Sequence, residues 1–305
     1  MAGQRFTPKT DLASEMHEYL SRTERGKLDG LVSEKYRVGM LTATEVTVLD
    51  ERGAAKVGKP CGRYVTADIG RLRDVHGDDF REKCESLAKI FARFLPSGGS
   101  CLFAGLGNRR ITSDATGPEA ADRFLATRHI KSANSELFRT LSLRETMCVA
   151  TGVLGSTGVE AAELLRGIAD CTKPSFAVVV DSLATSSLRR LATTVQICDS
   201  GISPGSGVNN RRRAINRETV GVPVIAVGVP TVADLFAVFG DLAGSDGAEV
   251  TGEPPELPEL PESVRFVTPK DADAMIRATS RLIAYALNLA LNPTLSFEEM
   301  RELAE

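Results

Sequence analysis

The stretch SFAVVVD at residues 175–181 is the clearest indication of the fold of this 305-residue chain. Its apolar run FAVVV is short and unbroken, as in a strand buried on both faces, and it ends in a carboxylate. The segments on either side alternate between strand-like and helix-like patterns. Because parallel strands need long crossover connections, which are usually helical, this alternation predicts a largely parallel sheet with helices on both faces.

The other elements follow from the same patterns, working outward from that strand. Further strands are predicted at 42–50, 62–69, 100–105, 145–152, 193–198 and 222–228. Helices are predicted at 11–22, 78–95, 117–127, 158–171, 186–191, 231–240, 271–291 and 296–303. We therefore expect an α/β fold: a single domain with a mostly parallel central sheet flanked by helices on both faces. Residues 241–263, rich in proline and acidic residues, are expected to form a surface loop.

The overall composition argues against several classes of protein. Hydrophobic residues make up 42% and charged residues 25% of the chain, which is ordinary globular usage and excludes wholesale disorder. The near balance of 37 basic and 40 acidic residues, with no Trp, argues against a nucleic-acid-binding or membrane-surface protein. The start MAGQRFTPKTD lacks the apolar stretch of a signal peptide, so we expect a cytoplasmic protein.

The cysteines and histidines are too dispersed to predict a zinc site or a disulfide scaffold. The six cysteines include no pair at CxxC spacing, and the three histidines are equally scattered. We expect reduced, mostly structural thiols and no Cys/His metal site.

Three loops at predicted strand ends are candidates for the functional site, because ligands of open parallel sheets bind there. The loop GLGNRRITSDATGP at 105–118 combines two glycines with Asp114, just before a predicted helix. Asp181 ends the buried strand, where a carboxylate is poorly solvated unless it faces a cleft. The third loop, CDSGISPGSGVNNRRR at 198–213, is rich in Gly and Ser and runs into a basic stretch.

Each loop also has a purely structural interpretation. Asp114 and Asp181 could cap the helices that follow them, the Gly/Ser loop could be a surface turn, and residues 211–213 could be a solvated face. Taken together, however, the two aspartates would lie within reach of each other on neighbouring strands. Two carboxyls that close share one proton near neutral pH, which provides an acid and a base, and mild acid should then favour activity.

Other catalytic and nucleotide-binding motifs are incomplete. GLGNRR has Arg110 where GxGxxG requires glycine, and TGVLGSTG at 151–158 is not followed by the GK[ST] of a Walker loop. No GxSxG nucleophile elbow is present. A non-enzymatic nucleotide-binding module stays open as one alternative, which nucleotide-dependent thermal stabilisation would reveal.

Several long motifs resemble the germination protease family of spore-forming bacteria. They are GKPCGRYVTADI at 58–69, the loop 105–118, GSTGVEAAELLRGI at 155–168, VVVDSLATSSLRRL at 178–191 and CDSGISPGSGVNN at 198–210. The resemblance implies an endopeptidase that starts the degradation of small acid-soluble spore proteins at germination. It also implies a homotetramer in the forespore or spore core, and we expect no cofactor and no direct contact with nucleic acid or membranes.

The resemblance assigns roles to individual residues. Asp114 and Asp181 coincide with the aspartates regarded as catalytic in this family of atypical aspartic peptidases. By the general logic of hydrolases, the glycine-rich loops could bind substrate or stabilise the oxyanion. The loop residues concerned are Gly105, Gly107, Asn108, Gly201, Gly205, Ser206 and Gly207.

The family is made as an inactive zymogen that removes its own N-terminal segment. It cuts after an acidic residue and before a hydrophobic residue followed by alanine, an order that Asp11, Leu12 and Ala13 satisfy. We therefore expect cleavage between Asp11 and Leu12, with a pro-segment of residues 1–11 and a peptidase domain of residues 12–305.

A second resemblance leaves another alternative open. The fold resembles that of the hydrogenase-maturation peptidases, a phosphorylase/hydrolase-like fold, and those enzymes use a nickel ion with a histidine ligand. A nickel-dependent maturation peptidase would be distinguished with a chelator, and His129 is the possible site histidine, although we expect no metal. The segments 131–144 and 241–263 match no family motif, and Ser113 stands where proline is usual, which leaves substrate preference open.

Overall fold

One sheet organises the computed structural model, which describes residues 9–23, 28–73, 75–205, 212–235 and 266–305. The strands are β1 (Leu31–Val38), β2 (Leu41–Val48), β3 (Gly62–Asp68), β4 (Cys101–Leu106), β5 (Thr146–Gly152), β6 (Phe176–Thr185), β7 (Thr194–Cys198), β8 (Val224–Asp234) and β9 (Phe266–Val267). Their order across the sheet is β1-β2-β3-β7-β8-β6-β4-β5, and β9 pairs with the end of β8. Within the ranges above, no helix is both long and apolar enough to cross a bilayer.

The sheet is parallel in one half and antiparallel in the other. Strands β8, β6, β4 and β5 run parallel to one another, whereas β1, β2, β3 and β7 pair antiparallel, as do β7 and β8. A two-residue turn at residues 39–40 joins β1 to β2, and so short a link permits only antiparallel pairing. The α/β class and the central sheet are confirmed, but the sheet is mixed rather than mostly parallel.

Helices cover both faces of the sheet, as expected. They are α1 (Ala13–Thr23), α2 (Glu51–Val57), α3 (Gly77–Phe91), α4 (Thr116–Ala121), α5 (Arg128–Ala133), α6 (Ser135–Thr140), α7 (Leu154–Thr157), α8 (Ala161–Thr172), α9 (Arg217–Val220), α10 (Ala272–Leu291) and α11 (Phe297–Ala304). One core contains side chains of α3, α4, α10 and α11, and the other contains those of α1, α2, α8 and α9.

Strand β6 lies between these two cores and explains the apolar run FAVVV. Val178 and Val180 belong to one core and Ala177 and Val179 to the other, all fully buried. A strand buried on both faces has no solvent side, and therefore shows no alternation of polar and apolar residues.

Two strands extend further than the sequence predicts. Parallel pairing with β8 carries β6 past Asp181, from the Asp181–Gly228 pair to the Thr185–Ala233 pair. In place of the helix predicted at 186–191, the structure has one 3₁₀ turn at Leu188–Arg190. The first residues of the helix predicted at 231–240 belong instead to the end of β8. Strand β1 was not predicted, and the loop 241–263 lies outside the described residues.

Candidate active site

Asp114 is held at the end of β4 by a loop that folds back on itself. Gly107 turns the chain with φ +109°, and a Cβ there would lie 2.2 Å from the main-chain oxygen of Asp114. The chain then forms a 3₁₀ turn at Thr112–Asp114, and the Asn108 N–H donates to the Asp114 Oδ2 over 2.8 Å. The close approach of the two loop arms therefore requires glycine at position 107.

Asp181 comes from inside β6 rather than from its end. Its side chain is 5% exposed, and its Oδ1 accepts a hydrogen bond from the Ser182 N–H at 2.9 Å. The Ser182 hydroxyl in turn donates to the Thr116 Oγ1 at 3.0 Å, which links β6 to the start of α4. The carboxyl is thus fixed on the sheet, facing the loop that carries Asp114.

Neither aspartate acts as the helix cap that the structural interpretation suggested. The N-cap position of α4 is Ala115, which makes no side-chain capping bond, and the Asp114 carboxylate turns back toward Asn108 instead. Asp181 has strand neighbours on both sides. Both carboxyls line one cavity of about 250 Å³, which we call the aspartate cavity.

The electrostatics of the pair favour one protonated and one ionised carboxyl at neutral pH. Burial raises the pKa of Asp181 to about 8, the charges of Asp114 and Asp11 act in the same direction, and the Ser182 N–H opposes them. Burial also raises the pKa of Asp114, against the Asn108 N–H and the charge of Arg212. At neutral pH the more deeply buried Asp181 therefore carries a proton beside an Asp114 that ionises first.

The N-terminal segment reaches the same cavity, because Asp11 is one of its lining residues. The Asp11 N–H donates to the Ala184 carbonyl at 2.9 Å, so the segment lies along the end of β6. Asp11 is 7% exposed and Leu12 is fully buried. The peptide bond between them is therefore enclosed by the protein.

The predicted loop residues are divided between two cavities. Gly107 and Gly205 line the aspartate cavity, whereas Gly201 lines a second cavity of about 360 Å³. Gly105 lies within β4 against Gly117, and the Asn108 N–H is already bonded to Asp114. Ser206 and Gly207 lie outside the described residues.

Sequence analysis missed several polar residues of the aspartate cavity, among them Arg212 and Thr231. Arg212 lines it, although the sequence favours a solvated face for residues 211–213. Thr231 lines it as well, and its hydroxyl donates to the Ser113 carbonyl at 2.6 Å, which ties β8 to the Asp114 loop. A lone Thr in a strand and one Arg of three carry no local signal that could have identified them.

His129 does not line the aspartate cavity. It is exposed on α5 and lines a separate, open depression together with Arg128, Met147 and Cys148. Among the described residues, no group of three or more His, Cys, Asp or Glu side chains is arranged to hold a metal ion.

The chain is similar to germination proteases over most of its length. The family model described as germination protease matches residues 9–244. The germination protease of Clostridium perfringens (strain 13) is 34% identical over 322 residues, covering 97% of this chain and 99% of that protein. That of Caldanaerobacter subterraneus subsp. tengcongensis is 35% identical over 319 residues, covering 97% of each. That of Bacillus cereus (strain AH187) is 38% identical over 245 residues, covering 78% of this chain and 66% of that protein.

A solved structure shares a more distant likeness. The [NiFe] hydrogenase maturation protease HycI from Thermococcus kodakarensis KOD1 aligns with 65% of this chain and 98% of its own, at 16% identity and a TM-score of 0.36. A likeness at that score supports no argument about activity.

Proposed function

The chain belongs to the germination protease family, a family of endopeptidases, and from that premise we propose that Asp114 and Asp181 are its catalytic pair. The observation that carries the proposal is one cavity lined by both carboxyls, in which the pKa of Asp181 is raised to about 8 by burial and by the charge of Asp114. Acid–base hydrolysis needs one protonated and one ionised group side by side.

The two aspartates would have different catalytic roles, because their surroundings differ. Asp114, which is less buried, would be the base that takes a proton from the attacking water. Asp181 would donate its proton to the carbonyl oxygen of the peptide bond as the water adds, which forms a gem-diol. When the C–N bond breaks, Asp114 would pass the proton it took from water to the departing amine, and Asp181 would take a proton back from a gem-diol hydroxyl. Activity should then fall as pH rises past about 8, because Asp181 loses the proton it must give.

We further propose that the first bond this enzyme cuts is its own, between Asp11 and Leu12. Asp11 lines the aspartate cavity, and burial of Asp11 and Leu12 shields the bond from any external protease. A bond enclosed in this way can be cut by groups of the same chain without opening the fold. Asp11 would thus occupy the cleft until the segment is removed, which accounts for an inactive precursor.

The proposed substrates are the small acid-soluble proteins of spores, cut in the spore core after an acidic residue and before a hydrophobic residue followed by Ala. The resemblance of the motifs to the family supports this specificity, and it also supports a homotetramer. The acidic residue at position 11 is consistent with it, because Asp-Leu-Ala has the same order.

Cleavage of a peptide containing Glu-Ile-Ala tests the proposed function. A protein that begins at Leu12 should cut after Glu, as mapped by mass spectrometry, and Asp114→Asn and Asp181→Asn in that shortened protein should each lower the rate by at least about a hundredfold. Asp79→Asn, an exposed aspartate on α3, is the matched control and should cut like the wild type. Asn variants of Asp114 and Asp181 that cut at the wild-type rate would refute the catalytic pair.

A further inference from the structure

Asp11 lies where two cavities meet. The aspartate cavity and the second cavity share three lining residues: Asp11, Leu183 and Arg212. The second cavity is also lined by Lys59 and Gln196, which belong to neither loop considered above. The Asp11 side chain therefore stands between the proposed catalytic pair and a polar recess.

We propose that the place occupied by Asp11 is the binding subsite for the acidic residue before the bond to be cut, with Lys59 as the residue that selects its carboxylate. This inference rests on the proposed function, since it takes residues 11–13 to lie in the cleft as a substrate would. A protein substrate would bring its own Asp or Glu to the same place once residues 1–11 are gone.

Two groups recognise the carboxylate itself. The Ala184 N–H donates to the Asp11 Oδ2 at 2.9 Å, and the Lys59 Nζ lies 3.6 Å from the Oδ1. The side chains of Lys59 and Asp11 are 17% and 9% exposed, so their attraction is little screened by water. A neutral residue in this place would leave the Lys59 ammonium enclosed without its carboxylate, which disfavours Asn or Gln.

The nearby negative charges make such a cation necessary. Asp181 carries a raised pKa in part because of the charge of Asp11, so the two carboxyls repel each other. An acidic substrate residue would meet the same repulsion beside the catalytic pair. Among the described residues, Lys59 and Arg212 are the cations that line the second cavity, and the Lys59 Nζ lies 3.6 Å from the Asp11 carboxylate.

Gln196 holds the main chain on both sides of the bond. Its Nε2 donates to the Asp11 carbonyl at 3.0 Å, and its Oε1 accepts from the Ala13 N–H at 2.8 Å. One buried amide thus spans the 11–12 bond and sets the register of the segment. Because both of these hydrogen bonds are to main-chain atoms, they would hold any sequence, which leaves the choice of side chain to Lys59.

The test compares the rates at which full-length variants lose residues 1–11. Each rate is measured from the intact mass of the protein over time. With Lys59 present, Asp11→Asn should slow the removal at least about tenfold, the effect of losing one charge-assisted contact. In a Lys59→Met background, the same Asp11→Asn change should alter the rate by less than about threefold. Lys89→Met, an exposed lysine on α3, should keep the full preference for Asp11.

The outcomes distinguish a failure of the subsite proposal from a failure of the proposed function. An unchanged preference for Asp11 in Lys59→Met, with Asp181→Asn blocking removal, would overturn the subsite alone. A preference lost in Arg212→Met but kept in Lys59→Met would likewise overturn the role of Lys59. If Asp181→Asn is trimmed as fast as the wild type, or no chain is trimmed, the proposed function fails and the subsite with it. Thermal unfolding of every variant verifies that each is folded, and the ratio within each background removes general losses of activity.

Discussion

Asp181 is the residue whose environment most affects the chemistry of the site. Its pKa rises from an ordinary value of 3.8 to about 8, chiefly through burial. A carboxyl with a raised folded pKa binds its proton more tightly in the folded chain than in the unfolded chain. Its contribution to stability is therefore lost as pH rises from about 4 towards 8, the reverse of the usual salt-bridged aspartate.

A pH series of unfolding measurements tests this property of Asp181. Between pH 4 and pH 8, the wild type should lose up to about 5 kcal/mol of stability relative to Asp181→Asn, because Asn cannot ionise. Denaturant unfolding of both proteins at each pH provides the difference. A difference that does not change with pH would show that Asp181 is not held protonated by the fold.

Gly107 is the second residue on which the site depends. A Cβ at this position would meet the main-chain oxygen of Asp114 at 2.2 Å, and the φ of +109° already disfavours any side chain. We expect Gly107→Ala to cost at least about 2 kcal/mol of stability and to abolish peptide cleavage by displacing Asp114. Gly98→Ala, where a Cβ meets nothing within 4 Å, is the control. Equal stability and activity of the two variants would contradict the close approach.

The sequence predicts the two aspartates as candidate site residues, but not Lys59 and Gln196, which contact the segment at residues 11–13. Asp181 stands out because a carboxylate after an apolar run needs a special environment, and Asp114 because it lies in a glycine-containing loop at a predicted strand end. Lys59 belongs to the motif at 58–69 and Gln196 to a predicted strand, but nothing in the sequence links either residue to the aspartates. Their importance comes only from tertiary contacts, such as the pairing of β3, β7 and β8 that brings Gln196 beside the end of β6.

At the scale of elements, the contact between α1 and the end of β6 holds the N-terminal segment in the cleft. The buried Glu15 carboxylate accepts from the Ser186 N–H at 2.8 Å, the Ser186 hydroxyl at 2.7 Å and the Thr185 hydroxyl at 2.5 Å. Arg190 lies 3.5 Å away and partly balances its charge. The start of α1 is thereby tied to the same strand that carries Asp181.

Loss of the Glu15 charge should loosen that contact. We expect Glu15→Gln to destabilise the protein by about 3 kcal/mol and to speed amide exchange across α1, because Gln lacks the charge and has one acceptor oxygen where the carboxylate has two. Glu34→Gln, an exposed residue of β1, should leave both unchanged within about 0.5 kcal/mol. Matching exchange rates in α1 for the two variants would contradict the role of Glu15.

Elements with strong apolar patterns were predictable, and their ends were not. The helix at 272–291 and the strand at 101–106 lie within a residue or two of the sequence prediction. Strand β6 continues through Asp181, Ser182 and Thr185 because β8 pairs with it, although polar residues there resemble the end of a strand. Strand β1 has mostly exposed side chains at the edge of the sheet, so it lacks the buried pattern that marks the others.

At the scale of the whole molecule, the mixed sheet provides the scaffold for the cleft. The parallel half brings the end of β4 and the middle of β6 to one cavity. Ligands of open parallel sheets are expected in this region, near the carboxyl ends of the strands. The antiparallel half contributes Gln196 from β7 to the adjoining cavity. The N-terminal segment crosses the boundary between them, so the described chain folds with its own N-terminal residues in the proposed substrate position.

This arrangement predicts that removal of the N-terminal segment occurs within the protein. The two residues that form the bond are buried, and Asp11 lines the cavity of the proposed catalytic pair, so we expect its cleavage to need no encounter with a second enzyme molecule. The rate constant for loss of residues 1–11 should therefore stay the same when the protein is diluted. A rate constant that falls in proportion to dilution would indicate cleavage of one molecule by another.

The most direct test of the catalytic pair is the intact mass of the full-length protein after incubation at neutral and mildly acidic pH. Wild type, Asp114→Asn, Asp181→Asn and the control Asp79→Asn are followed side by side. The proposed mechanism predicts loss of residues 1–11 from the wild type and from Asp79→Asn, and no loss from the other two, because each lacks the acid or the base. Equal trimming of all four proteins would contradict it and assign the cleavage to other groups.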